Sequence, residues 1–214
     1  MTQEQLIKIL EKHIPPSAAP RIAQLLIQYQ VRLIIKWERA SKLGDYRPPF
    51  KGSKHQITIN NTLNVYAFLL TLTHELAHLV THVQYGHRVQ AHGAEWKQQF
   101  IVLMNEFLNK GLFPPDVERA IKMYLSSPKA SSCADPTLMR VLNKYNEVPD
   151  VLVEQLPENT LFAVDENRVF KKGKKRRKNF ECVEIQSQRV YLVSGTMAIR
   201  KIIDPAKNSS AFSS

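Results

Sequence analysis

Residues 73–96 read THELAHLVTHVQYGHRVQAHGAEW, and this stretch carries five of the chain's seven histidines. His74, Glu75 and His78 form the pattern H-E-x-x-H. The pattern has chemical meaning only on a helix, where positions i and i+4 stack on one face with a rise of about 6 Å between them. Two imidazoles placed so can converge on one ion at roughly 2.0–2.1 Å per nitrogen. Glu75 projects beside that face. Zinc acidifies water, and a carboxylate within reach can take the proton and pass it to a leaving amine. With this composition the five-residue pattern arises by chance on the order of one per cent of the time, so its surroundings decide its weight.

The surroundings predict a helix. Asn64 is a good N-cap, and Gly86 can take the left-handed conformation that ends helices. Between them Leu69, Leu72, Leu76, Leu79 and Val83 follow at steps of three and four, an apolar stripe for one buried face that leaves His74 and His78 off it. A second helix, from about Gly93 to Lys110, presents Trp96, Phe100, Leu103 and Phe107 at the same spacing.

A catalytic zinc wants three protein ligands and one open position. His82 lies about 12 Å along the axis from His74, too far to share an ion with it. The pair His78/His82 has Leu79 where a base would stand, and Thr81 and Gln84 occupy the glycine and histidine positions of the extended H-E-x-x-H-x-x-G-x-x-H pattern. His87 follows the helix end and is expected at the surface. His92, just before Gly93, is the favoured third ligand. Glu95 competes with it, although a carboxylate in the first turn of a helix also stabilises the positive end of the dipole.

Outward from this stretch, an amphipathic helix with Leu6, Ile9 and Leu10 on one side runs to about His13 and breaks at PPSAAP. A helix over roughly Arg21–Gln30 follows. Val31–Trp37 and His55–Asn60 read as strands, joined by a turn-rich Lys42–Gly52 that has room for a short edge strand. LFPPDVERAIKMYL reads as another helix, and Ser126–Pro136 as a boundary. Beyond Val148 the segments TLFAV, RVFKKG, FECVEI and RVYLVSG read as short strands of a small β module. The expected organisation is a domain built around the H-E-x-x-H helix over residues 1–128, a connecting segment with a helix over 129–147, the β module over 148–205 and a flexible tail over 206–214.

Composition bounds the function. With 43% hydrophobic and 23% charged residues the chain is neither disordered nor fibrous. The first residues lack the apolar core and cleavage site of a signal peptide, and no run reaches the roughly 18 apolar residues of a membrane span; the expectation is a cytoplasmic protein with no membrane partner. Cys133 and Cys182 build neither a disulfide framework nor a four-cysteine zinc site and read as reduced, buried thiols. The net charge of +11 attracts polyanions.

SKLGDYRPP at Ser41–Pro49, ITINNTLNVYAFLLTLTHELAH, and HGAEW at His92–Trp96 together resemble the SprT-like zinc metallopeptidase family, which includes the Spartan proteases. The resemblance covers roughly Val31 to Leu112. It implies an α+β, zincin-like domain of helices packed on a small sheet. It further implies one Zn2+ held by His74, His78 and His92, with Glu75 as general base and acid in peptide hydrolysis. SprT-like proteins often end in a zinc ribbon with two cysteine pairs; here single cysteines stand at 133 and 182, so the β module takes the ribbon's place with no second zinc expected.

Spartan-type relatives cut proteins attached to DNA, which makes DNA–protein crosslink repair the implied setting, a protein the substrate and DNA a partner. The run Lys171, Lys172, Lys174, Lys175, Arg176, Arg177 and Lys178 places seven cations in eight residues. It is either a grip on phosphates or a solvated hairpin loop. Phe170 and Phe180 beside it are candidates to stack bases or to fill a core. The competing function is a non-catalytic, zinc-containing nucleic-acid-binding or scaffolding protein; a metal-dependent hydrolase of some other substrate is a third.

Overall fold

A computed structural model describes residues 2–37, 43–129 and 135–204. Cys133, the start of the 41–49 motif and the 206–214 tail lie outside the described residues. The chain divides into two compact units, residues 1–147 and 148–214.

The first unit opens with α1 (Gln3–Leu10), capped by a reciprocal Thr2–Gln5 box, and α2 (Ala19–Gln28), which follows a proline-led 3-10 turn. Leu6 and Leu10 are buried as expected, but Ile9 is exposed. Three strands follow: β1 (Arg32–Lys36), β2 (Gly44–Arg47) and β3 (Gln56–Asn60). Their order is β1-β3-β2, with β1 parallel and β2 antiparallel to the central β3. β2 is therefore an edge strand, supplied by the turn-rich segment. Ile57 and Ile59 of β3 are fully buried.

The long helix α3 (Val65–Tyr85) begins at an Asn64 cap, whose side-chain oxygen accepts from the Tyr66 and Ala67 amides. It ends at Gly86, with φ at +64°. Its middle is more enclosed than a one-faced stripe implies: every residue from Ala67 to Ala77 is buried. Such a helix is the axis of its unit rather than a cover on it. Val83, at the end of the predicted stripe, is exposed.

Helices α4 (Ala94–Asn105), α5 (Pro115–Leu125) and α6 (Pro136–Asn143) complete the unit. α4 is shorter than its periodicity suggests, its last turn loosening before Gly111, yet Trp96, Phe100, Leu103 and Phe107 are all buried. α6 belongs to this core. Leu138 and Leu142 are buried in it, and Asn64 Nδ2 donates to the Leu142 carbonyl at 2.9 Å, so the cap of α3 also fastens α6.

The second unit is a five-stranded antiparallel sheet of β4 (Leu161–Ala163), β5 (Val169–Arg176), β6 (Asn179–Glu184), β7 (Val190–Ser194) and β8 (Lys201–Ile203), in the order β7-β6-β5-β4-β8. β8 has no counterpart in the strands read from sequence. Its core holds Val153, Phe162, Phe170, Phe180 and Cys182, so Phe170 and Phe180 are core residues and not platforms for bases. No helix among the described residues is long and apolar enough to cross a membrane.

Candidate metal centre

α3 and the turn before α4 bring three imidazoles together. His78 Nε2 lies 3.2 Å from His74 Nε2, and His92 Nε2 lies 3.4 Å from His74 Nε2. Among the described residues these are the group of His, Cys, Asp or Glu whose ligand atoms, three in number, all fall within 4.8 Å of one another. The loop closes because Gly93 caps α4 in extended backbone, setting His92 immediately ahead of the helix whose aromatic face is locked in the core.

Trp96 forms the floor. Its ring centroid lies 4.6 Å from that of His74, 5.3 Å from that of His78 and 4.7 Å from that of His92, and it stacks on Phe100 at 5.2 Å. Its indole N–H donates to the His74 carbonyl at 3.4 Å. A large, fully buried aromatic with its one donor satisfied is a rigid platform, so one residue of α4 restricts all three imidazoles.

Electrostatics keep these imidazoles neutral. Burial first, then the proximity of His78 and His92, lowers the pKa of His74 to about 3. Burial and then His92 lower that of His78 to about 4, and burial lowers that of His92. Neutral imidazole is the form that ligates metal. The spacing fits as well: tetrahedral coordination at roughly 2.0–2.1 Å per nitrogen separates ligand atoms by about 3.3 Å, matching the 3.2 and 3.4 Å observed.

Glu75 is buried on the same helix. Its surroundings include a residue that motif reading passes over. A β-carbon built on Gly44 would stand 2.9 Å from Glu75 Oε1, 2.8 Å from Thr71 Cγ2 and 2.9 Å from Ile59 Cδ1. The backbone of β2 therefore passes against the carboxylate with no space for a side chain. Gly44 lies within SKLGDYRPP, in the segment read as having room for a short edge strand, and a glycine in a strand marks close approach of another group.

The other candidates fall elsewhere. Glu95 is outside the triad; its carboxylate curls toward Gly93, where a β-carbon would lie 3.1 Å from Oε2, at the N-terminus of its own helix. His82 is outside as well, and His87 is exposed past Gly86. In the second unit Lys172 is not part of a surface run. It is buried, its ammonium donating to the Leu156 carbonyl and, at 3.4 Å, to the Glu154 carbonyl, while lying 4.1 Å from the centre of the Phe180 ring. The remaining six cations, Lys171, Lys174, Lys175, Arg176, Arg177 and Lys178, are exposed, most of them on strand β5 rather than in a loop.

No curated protein and no solved structure matches the chain. A family model does. Residues 24–114, which include His74, Glu75, His78, His92 and Gly44, match the model of the SprT-like family.

Proposed function

We propose that the first unit is a zinc-dependent peptidase in which His74, His78 and His92 hold one Zn2+ and Glu75 is the general base and acid. The observation that carries this reading is the convergence of three neutral imidazole nitrogens, 3.2 and 3.4 Å apart, on the helix that also carries a buried carboxylate. When bound, zinc supplies Lewis acidity, polarising a scissile carbonyl and making water acidic. Glu75 takes a proton from the attacking water on a carboxylate oxygen and returns it to the amine nitrogen of the departing segment. Gly44 fixes where that carboxylate stands, and Trp96 fixes the imidazoles. A site that only held structure together would have no use for a buried carboxylate next to its first ligand.

The edge strand β2 supports a peptide as substrate. Among the described residues it is bonded in its sheet to β3 alone, and it runs past Glu75, so an extended segment laid along it is held by main-chain hydrogen bonds with little demand on sequence. The resemblance to Spartan-type proteases and the six exposed cations of the second unit support DNA-associated proteins as the substrate class.

The test is metal analysis followed by casein cleavage, with and without single-stranded DNA, for the wild type and Glu75→Gln. The variant is expected to keep its zinc and lose cleavage. Equal cleavage by the variant removes the mechanism, and zinc binding with no cleavage by either protein leaves the scaffolding alternative standing.

A further inference from the structure

Beyond the triad, three further histidines lie near the C-terminal end of α3. His82 belongs to the last turn of α3, His87 follows Gly86, and His55 immediately precedes β3. Gly86, at φ +64°, reverses the chain so that the His87 ring comes to 4.9 Å from the His82 ring, and the His55 ring stands 6.1 Å from that of His82. The triad rings are separated by 4.5, 5.0 and 5.4 Å, so the His82–His87 spacing is already that of co-ligands.

His55 is also oriented. Its Nδ1 is 2.9 Å from the Tyr46 hydroxyl, and burial raises the pKa of that phenol, which keeps it protonated. In the tautomer whose Nδ1 proton is donated to the Tyr46 oxygen, Nε2 keeps its lone pair for a metal, and binding a cation selects that tautomer, as second-sphere partners do for ligating histidines.

We propose that His82 and His87, joined by His55, form a second divalent-cation site, separate from the triad and weaker than it. An all-imidazole site takes borderline cations such as Zn2+, Ni2+ and Cu2+ rather than Mg2+ or Ca2+. It is weaker for two reasons. His87 is exposed and the other two rings are half-buried, so the ligands are less preorganised; and the three nitrogens do not already lie within 4.8 Å of one another, so side chains must turn to close on the ion. A cation held here links the head of β3 to the tail of α3, across the edge strand that bears Tyr46, and so stabilises the folded state by mass action.

The test is calorimetric titration of metal-free full-length protein with zinc, alongside the thermal midpoint at one and three equivalents. The wild type is expected to bind two ions with affinities at least tenfold apart, and to gain a second rise in midpoint above one equivalent. His82→Ala/His87→Ala, altered at positions outside the buried core, is expected to bind one ion with the tight affinity unchanged and to lose the second rise. His55→Ala is expected to weaken only the second step. A wild type that takes up a single ion, or a double variant that still takes up two, overturns the proposal, and neither result bears on the triad.

Discussion

Gly44 and Glu75 touch across the first unit, a strand backbone against a helix carboxylate, with 2.9 Å between Glu75 Oε1 and the place a β-carbon would occupy. Gly44 does not sit in the left-handed backbone region, so the glycine is demanded by space alone. Gly44→Ala crowds Glu75, Thr71 and Ile59 together, and overpacking of this kind costs about 1–3 kcal/mol. A misplacement of a catalytic group by about 1 Å costs on the order of a hundredfold in rate. The variant is therefore expected to bind zinc with wild-type stoichiometry and to cleave casein roughly ten- to a hundredfold more slowly. Unchanged kcat would show that the close approach does not position the carboxylate.

Trp96 underlies all three imidazoles, so its truncation loosens the site and opens the core together. Trp96→Leu is expected to lower unfolding free energy by about 2–4 kcal/mol, read by urea denaturation. Zinc affinity, read by competition with a chelating dye, is expected to fall in the same variant, whereas Phe107→Leu, which also trims a buried aromatic of the same unit, leaves it unaltered. Equal zinc affinity in both variants would mean the indole plays no part in holding the ligands.

Acid should destabilise the metal-free protein through the triad. His74 and His78 titrate at about 3 and about 4 in the fold, against the ordinary 6.5 of an unfolded chain. As pH falls below 6.5 the unfolded state takes up protons that the folded state refuses, so stability is retained above 6.5 and drains away as pH drops toward 4. The urea midpoint of stripped protein is expected to fall between pH 7.5 and 5, and to fall less steeply in His78→Gln. Parallel pH profiles would contradict the assignment.

The second unit separates cations that fold from cations that are free to bind. Lys172→Ala removes a buried ammonium from two carbonyls and an aromatic ring and is expected to destabilise the protein by about 1–3 kcal/mol. Lys174→Ala/Lys175→Ala/Arg177→Ala is expected to leave stability within about 0.5 kcal/mol of wild type and to reduce the salt slope of DNA affinity by two to three phosphate contacts' worth. An unchanged slope would make the run irrelevant to DNA.

Local signals made much of this readable in advance. Asn64 and Gly86 bracket α3 because capping depends on a residue and its immediate neighbours, and the strand containing Ile57 and Ile59 announces itself by alternation. The convergence of His74, His78 and His92 follows from helix geometry plus a loop long enough to return. Long-range facts were not readable: that the middle of α3 is covered on all sides, that α6 joins the first core, that Gly44 meets Glu75. Lys172 is a different case. Alternation from Phe170 places it on the inward face of β5, a signal masked by reading the cations as one block.

In the proposed site α3 and the turn ahead of α4 hold one zinc ion through three imidazoles. Crystals of the protein loaded with one equivalent of zinc, measured at the zinc absorption edge, test it most directly. The strongest anomalous peak is expected at about 2.0–2.1 Å from Nε2 of His74, His78 and His92 alike. A peak bound by only two of these, with the His92 ring turned away, would contradict the account.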